Sequence, residues 1–555
     1  MAQQIKQVFE LFPWQGGYNP SLDPIILNPQ QLQIGENITF DTNGGRKKRG
    51  GIGYANTAVI TVGGTAVDLM WGTDYWANVS SAKRAYHVII SEGGTALRSP
   101  YNGIYSSFNS AATATLSITQ GQITSEVMNE DLIIGYSKSA PPKVWDGQNT
   151  STNLVAATAA SGTYPNGWIV RAHRNRLWVA GSSSNPDRIY YSGFTAGAPD
   201  HRAWNTASSA GYIDLFPGDG DPEGITAIFP EINQGGLYVA KRTKIYFINT
   251  SSSDDANWTI ALVSNGIGCV SHNSAVAVDQ TDVIFASDRG IHSLGQVINQ
   301  AGIIESAFLS ADIHTDYQNV LVTADRNKYN AVWYPRLNSY FLAVSQTAGT
   351  LNRLYAYNIE LKQWYVWKPA DGTTNTFNFL HLRFNGTDKD VEFYGTSDKG
   401  RVLKFDQSVY YDLTGTSTLT QVAVSLRIKS AAIYPAQLRT LECHFTDLAF
   451  YVDSKNTSSF SVLWTIDNAN TQSKSINQVT VGGNILGTTI LGTLYILGES
   501  RSIKPYLASI NGVGNAIEIE IQHNDPSDFR LYGIACKYIQ SNESYNPRRN
   551  LSFGS

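Results

Sequence analysis

The sequence predicts an all-β chain: a β-propeller of about six to eight blades, an extended N-terminal arm and a C-terminal β-sandwich-like domain. One hairpin design recurs along the middle of the chain. Composition favours short strands and turns, since glycine (48), tyrosine (30) and tryptophan (12) are abundant while charged residues make up only 15%. No long heptad or 3.6-residue apolar period is visible, so amphipathic helices are not expected.

The recurring unit is clearest from Arg171 to Trp204, RAHRNRLWVAGSSSNPDRIYYSGFTAGAPDHRAW. Leu177 to Ala180 and Ile189 to Ser192 are apolar and aromatic, and Asn185-Pro186-Asp187 between them is turn chemistry. The same order of strand, polar turn and strand appears around Val88, Ile133, Tyr238, Ile284, Trp333 and Phe393. From Val88 to Trp333 the centres lie roughly 45 to 60 residues apart, near the period of four-stranded blades. Two turns share a string, SDRG at Ser287 to Gly290 and SDKG at Ser397 to Gly400.

Residues 1–53 carry no repeat. Pro13, Pro20, Pro24 and Pro29 break them into extended pieces, and Asp41 to Gly45 is a turn signal that leads into Arg46, Lys47, Lys48 and Arg49. An arm that wraps the body or a neighbouring subunit is expected. Residues 54–411 hold the repeats. Their last group, FNFLHLRF, VEFYG and RVLKFD, supplies three strands, so a strand borrowed from the other end of the domain should complete that blade. Residues 412–555 continue as strands without the period. There Ile517, Ile519 and Ile521 alternate with Glu518, Glu520 and Gln522, as a strand with one buried face requires.

A formal net charge of −4 on 555 residues gives no electrostatic ground for a nucleic-acid coat or an anionic-membrane binder. Cys269, Cys443 and Cys536 lack metal-ligand spacing and are expected as reduced buried thiols, with a Cys443–Cys536 disulfide the competing arrangement. The N-terminal MAQQIKQVFELFPWQGG lacks the order of a secretory signal, and no apolar run approaches the roughly 18 residues of a membrane helix.

Candidate sites are few. Arg46, Lys47, Lys48 and Arg49 are candidates for contact with DNA phosphates or an acidic neighbouring subunit; a solvated turn explains them equally well. The loop PGDGDPEG spaces Asp219, Asp221 and Glu223 by two but lacks the rest of a calcium-loop pattern, and no metal is expected there. In the run ILGTTILGTLYIL, Ile485, Leu486, Ile490 and Leu491 are candidates for a tip or subunit contact. There is no HExxH, paired CxxC, phosphate loop or G-x-S-x-G elbow, and GGIG at Gly50 to Gly53 lacks a dinucleotide fingerprint. No catalytic residue and no cofactor are assigned.

Several stretches together resemble the tail nozzle proteins, or tail tubular protein B, of short-tailed bacteriophages (podoviruses). They are GENITFDTNGGRKKRGG, EDLIIGYSKSAPPKVWDG, HRNRLWVAGSSSNPDRIYYSG followed by Trp204, YIDLFPGDGDPEGITAI, GLYVAKRTKIYFI and IGCVSHNSAVAVDQTDVIFASDRGIHSL. The likeness runs in order over most of Gln33 to Leu294. It implies a non-enzymatic virion protein, a propeller subunit in a homohexameric ring at the distal end of the tail, assembled in the host cytoplasm. The implied partners are copies of itself, the tail adaptor protein, tail fibre or spike proteins and, in passing, the ejected double-stranded DNA; stable membrane insertion is not implied. A near-neutral wall suits such a conduit, because duplex DNA carries a charge about every 1.7 Å and many free cations would hold it. Two other readings stay open: a head–tail adaptor or stopper, and a propeller that binds or hydrolyses host-surface carbohydrate with Trp364, Tyr365 and Trp367 stacking on sugars.

Overall fold

A computed structural model describes residues 6–540 except for internal stretches, the longest of which are 108–115, 148–154, 300–307 and 479–502. The described residues are almost entirely strands, and seven successive sheets in 51–406 are the blades of a propeller. The seven hairpin centres read from the sequence each fall in a different blade.

The inner hairpins show why these residues form blades. In the third blade Ile169–His173 pairs with Arg176–Ala180, and the two loop residues Arg174 and Asn175 both have positive φ. In the second, Thr124–Met128 pairs with Asp131–Gly135 across Asn129 and Glu130, again both at positive φ. Two such residues make the hairpin turn whose twist matches the strands. The second strands are the most apolar, with all five residues of Arg176–Ala180 and all six of Gly236–Lys241 buried.

First strands of neighbouring blades pack side by side, as when Val170 N donates to Thr124 Oγ1 at 3.0 Å and Leu380 N to Asn330 Oδ1 at 2.8 Å. The seventh returns to the first, where Asn378 Nδ2 donates to Leu69 O at 3.0 Å and Trp71 meets Phe379 at 5.8 Å. The ring is therefore closed. The seventh blade, Phe379–Asn385, Asp390–Thr396 and Val402–Asp406, takes its fourth strand from Gly51–Tyr54, antiparallel with Leu403 opposite Tyr54. This is the borrowed strand. Gly50 and Gly51 are needed for the approach, since a Cβ on either would lie 2.2 Å from Asp406 O or 1.9 Å from Tyr411 O.

Both chain ends build the second domain, so the expected boundaries at 53 and 411 do not separate its strands. One sheet carries Leu426–Ser430, Ile517–His523, Ser459–Ile466 and Gln472–Asn477. It is continuous with the sixth blade through Leu32–Glu36, which pairs with Leu426–Ser430 and touches Gln363–Trp367 at Glu36. The facing sheet runs Ile38–Phe40, Arg46–Lys48, Arg530–Gln540, Cys443–Asp453 and Ile503–Gly514, with Gln7–Leu11 also on Arg530–Gln540. Ile517, Ile519 and Ile521 are buried between them, while Glu518 and Glu520 pair with Lys429 and Arg427. A single apolar cluster joins Trp364 and Trp367 of the sixth blade to Ile428 and Phe450 of the sandwich. Cys269, Cys443 and Cys536 are free and buried, and burial pushes the Cys269 thiol up to about 12.

Candidate functional site

Three of the four residues of the basic run do not lie where a phosphate could reach them. Arg46, Lys48 and Arg49 are each 0% exposed, and Lys47 is half-buried with its amine over the Tyr410 ring. Both the surface contact and the solvated turn are thereby corrected for those three residues. Strand pairing imposes the result, because Arg46–Lys48 sits between Ile38–Phe40 and Arg530–Gln540.

Each buried cation is answered from inside. Arg49 makes a two-pronged ion pair with Asp412, at 2.8 and 2.6 Å, with both side chains fully buried. Asp412 also accepts from Ile52 N at 3.0 Å and Ala370 N at 2.8 Å, so one carboxylate ties the arm to two parts of the propeller. Arg46 lies 4.2 Å over the Trp14 ring and donates to the carbonyls of Trp14, Gly16 and Gln30. Lys48 Nζ is 3.2 Å from His523 Nδ1 and donates to Asp525 O; burial, then the neighbouring Arg49, lowers its pKa to about 7. The run is a lock between the domains.

The acidic loop is likewise engaged. Asp219 accepts from Tyr246 Oη and lies 3.2 Å from Lys241 Nζ, Asp221 takes both the backbone N–H and hydroxyl of Thr243 at 2.8 Å, and Glu223 pairs with Arg242. Among the described residues no cluster of histidine, cysteine and carboxylate side chains has metal-site geometry. Ile485, Leu486, Ile490 and Leu491 lie outside the described residues. Trp364 and Tyr365 are 0% exposed and Trp367 is 1%, so they fill the sixth blade and cannot stack on a sugar.

The feature with the character of a binding site is a cleft of 630 Å³ on the outer part of the third blade, within the roughly 300–1,000 Å³ of small-ligand pockets. Its wall is Arg188–Tyr191 paired with Gly211–Asp214, which sets Tyr190 opposite Tyr212. Adjacent residues on a strand face opposite ways. Tyr191 accordingly turns into the core, while Tyr190 is half-buried and Tyr212 is 54% exposed. The Arg188 guanidinium covers the Tyr212 ring at 3.7 Å and is fixed by Asp214 at 2.7 and 2.9 Å.

Trp204 supplies the opposite side. It sits in a short parallel pairing of Ser161–Gly162 with Ala203–Trp204, opposite Gly162, and packs at 4.9 Å on Tyr164. Thr206 and Ser209 add hydroxyls from a short 3₁₀ turn capped by Asn205. Asp255, from the loop between the last two strands of the fourth blade, completes the lining and accepts from Tyr191 Oη at 2.8 Å. Burial, then this bond to a carboxylate, pushes the Tyr191 phenol well above its usual range. It stays a donor at any physiological pH. Tyr190 and Trp204 lie within the stretch that first stood out in the sequence, but Tyr212 and Asp255 were not singled out. Tyr212 alternates outward in GYID, a readable signal; Asp255 reaches the site only through tertiary packing.

Compared with known proteins, the sequence matches no family model and no curated protein. Among solved structures it is similar to exo-beta-1,3-galactanase from Phanerochaete chrysosporium, at 9% identity over 87% of this chain and 100% of that one, with a TM-score of 0.25. It is also similar to Hsv2 from Kluyveromyces lactis, at 9% identity over 51% of this chain and 81% of that one, with a TM-score of 0.29. Likenesses of this size carry no argument about what the chain does.

Proposed function

We propose that this chain is a structural subunit of a short-tailed phage tail, a nozzle-type propeller that assembles as a homohexameric ring around the exit channel for DNA. The observation that carries the reading is where the resembling stretches fall. GENITFDTNGGRKKRGG forms the seam that locks propeller to sandwich, and the later stretches form the second to fifth blades in order. A unit in which strands from early and late in the chain pair with each other suits a wall that must not open under load. Three of the four residues of the basic run, Arg46, Lys48 and Arg49, are turned inward, away from any passing phosphate.

Subunit and adaptor contacts fall to apolar side chains left outside. Leu507 at 57% and Val513 at 61% exposed stand on Ile503–Gly514, the last strand of its sheet among the described residues. Such residues are candidates for burial in an assembly. Electron microscopy of the purified chain and of phage particles tests the proposal: sixfold rings at the tail tip are expected, and a stable monomer with no ring in any particle overturns it.

A second reading, recognition of host-surface carbohydrate, is favoured by the cleft on the third blade. Exposed aromatic rings beside hydroxyls and a carboxylate are the surface a sugar needs.

A further inference from the structure

We infer that the cleft between Tyr190, Tyr212, Trp204 and Asp255 binds an uncharged oligosaccharide, of neutral hexoses or N-acetylhexosamines, without cleaving it. The inference rests on the second reading above and says which site, which sugars and which outcome.

Shape and surface come first. A pyranose presents an apolar face of C–H groups and a rim of hydroxyls that both donate and accept. Tyr212 offers a ring that is more than half exposed and already held by Arg188, so little motion is frozen when a sugar lands on it. Trp204, half-buried against Tyr164, is fixed in the same way. The rim is met by the hydroxyls of Thr206 and Ser209, which can serve as donor or acceptor, and by the Asp255 carboxylate, which only accepts. Asp255 accepts from Tyr191 through Oδ2, and among the described residues no donor meets Oδ1, leaving an acceptor for a sugar hydroxyl.

Charge then selects. The described lining includes a carboxylate and no cation, and the nearest guanidiniums are already engaged, Arg188 with Asp214 and Arg176 with the carbonyls of Ser192 and Ser209, so a uronate or sialate would meet the carboxylate and find no free cation. The two other cavities of note differ. One, of 360 Å³ between the first and seventh blades, is lined by Arg383 and Lys404, both paired with Glu392. The other, of 260 Å³, has Arg176 in its wall donating to the carbonyls of Ser192 and Ser209. Their aromatic rings are half-buried or buried, and neither has a ring more than half exposed as Tyr212 is in this cleft.

Cleavage is not part of the inference. Glycoside hydrolysis in most families uses two carboxyl groups about 5–9.5 Å apart across the bond. Asp255 is the one carboxylate in the described lining.

The test uses the full-length chain and saturation-transfer NMR with chitotriose, maltotriose, cellotriose, trigalacturonic acid and smooth lipopolysaccharide. At least one neutral probe should bind, the uronate should not, and Tyr212→Ala and Thr206→Arg should each weaken binding tenfold or more while Tyr212→Phe preserves it. Both positions are exposed, and circular dichroism and melting curves confirm that the variants fold. Binding by the parent chain that neither substitution weakens overturns the cleft assignment but leaves carbohydrate recognition standing. No binding of any probe overturns both. New reducing ends from any probe overturn binding without cleavage.

Discussion

The seam between the domains and the cleft on the third blade invert each other's chemistry. At the seam, Arg46, Lys48 and Arg49 are buried and held by carbonyls, a histidine and one carboxylate. At the cleft, Tyr212 and part of Tyr190 and Trp204 stay outside. A buried charge is tolerable only when its partners are already placed, so the seam is a site of structural precision. An exposed aromatic ring contributes little to folding, so its placement is better understood through something it touches. Residue type alone would have assigned the two regions the other way round.

The comparison breaks most easily at Asp412. Asp412→Ala leaves the Arg49 guanidinium and two backbone N–H groups without their acceptor, and removing one partner of a buried pair costs about 3–5 kcal/mol. Urea unfolding followed by tryptophan fluorescence should show that loss. A change below about 1 kcal/mol would mean that the seam is not a lock.

A smaller effect comes from pH. Lys48 holds its amine at about 7 in the folded chain against 10.5 when free, chiefly through burial. Between those values the unfolded chain binds a proton that the folded chain does not, so stability rises with pH, by at most about 1.4 kcal/mol per pH unit. Below pH 7 both states are protonated and this contribution is flat. Tyrosines such as Tyr365, raised by burial, act in the opposite sense above pH 10. Thiols such as Cys269, raised by burial from 9.0 to about 12, do so from about pH 9, so the slope is read from pH 7.5 to 8.5, and Lys48→Met should flatten it. An unchanged slope in that variant would remove Lys48 as its source.

The smallest effect belongs to the cleft. Tyr212→Ala should shift stability by no more than about 0.5 kcal/mol, as surface substitutions usually do. A loss of 2 kcal/mol or more in thermal melting would make the ring a structural element and blur the contrast with the seam.

Blade by blade, the fold was legible because its signals are local. HRNR and MNED are turn sequences, and RLWVA and GLYVAK are strands that must be buried. What was not legible is pairing across the chain. Nothing near GGIG says that it lies against VLKF, and nothing near Arg49 names Asp412. The same limit hid the site. Tyr190 and Tyr212 belong to neighbouring strands and could be matched by alternation, whereas Asp255 arrives from the next blade. Trp364, Tyr365 and Trp367 misled for the converse reason: aromatic density marks a blade core as readily as a surface.

Arg49 and Asp412 stand 363 positions apart. At about 5–20 residues per second, a ribosome needs on the order of twenty seconds to a minute to travel between them. Throughout that interval the arm is a nascent tail with no groove to occupy, and a glycine-flanked strand waits with its hydrogen-bonding edge unclaimed. Residues 46–54 are thus made well before their partners and settle late, and the timing of translation becomes part of how this protein reaches its shape.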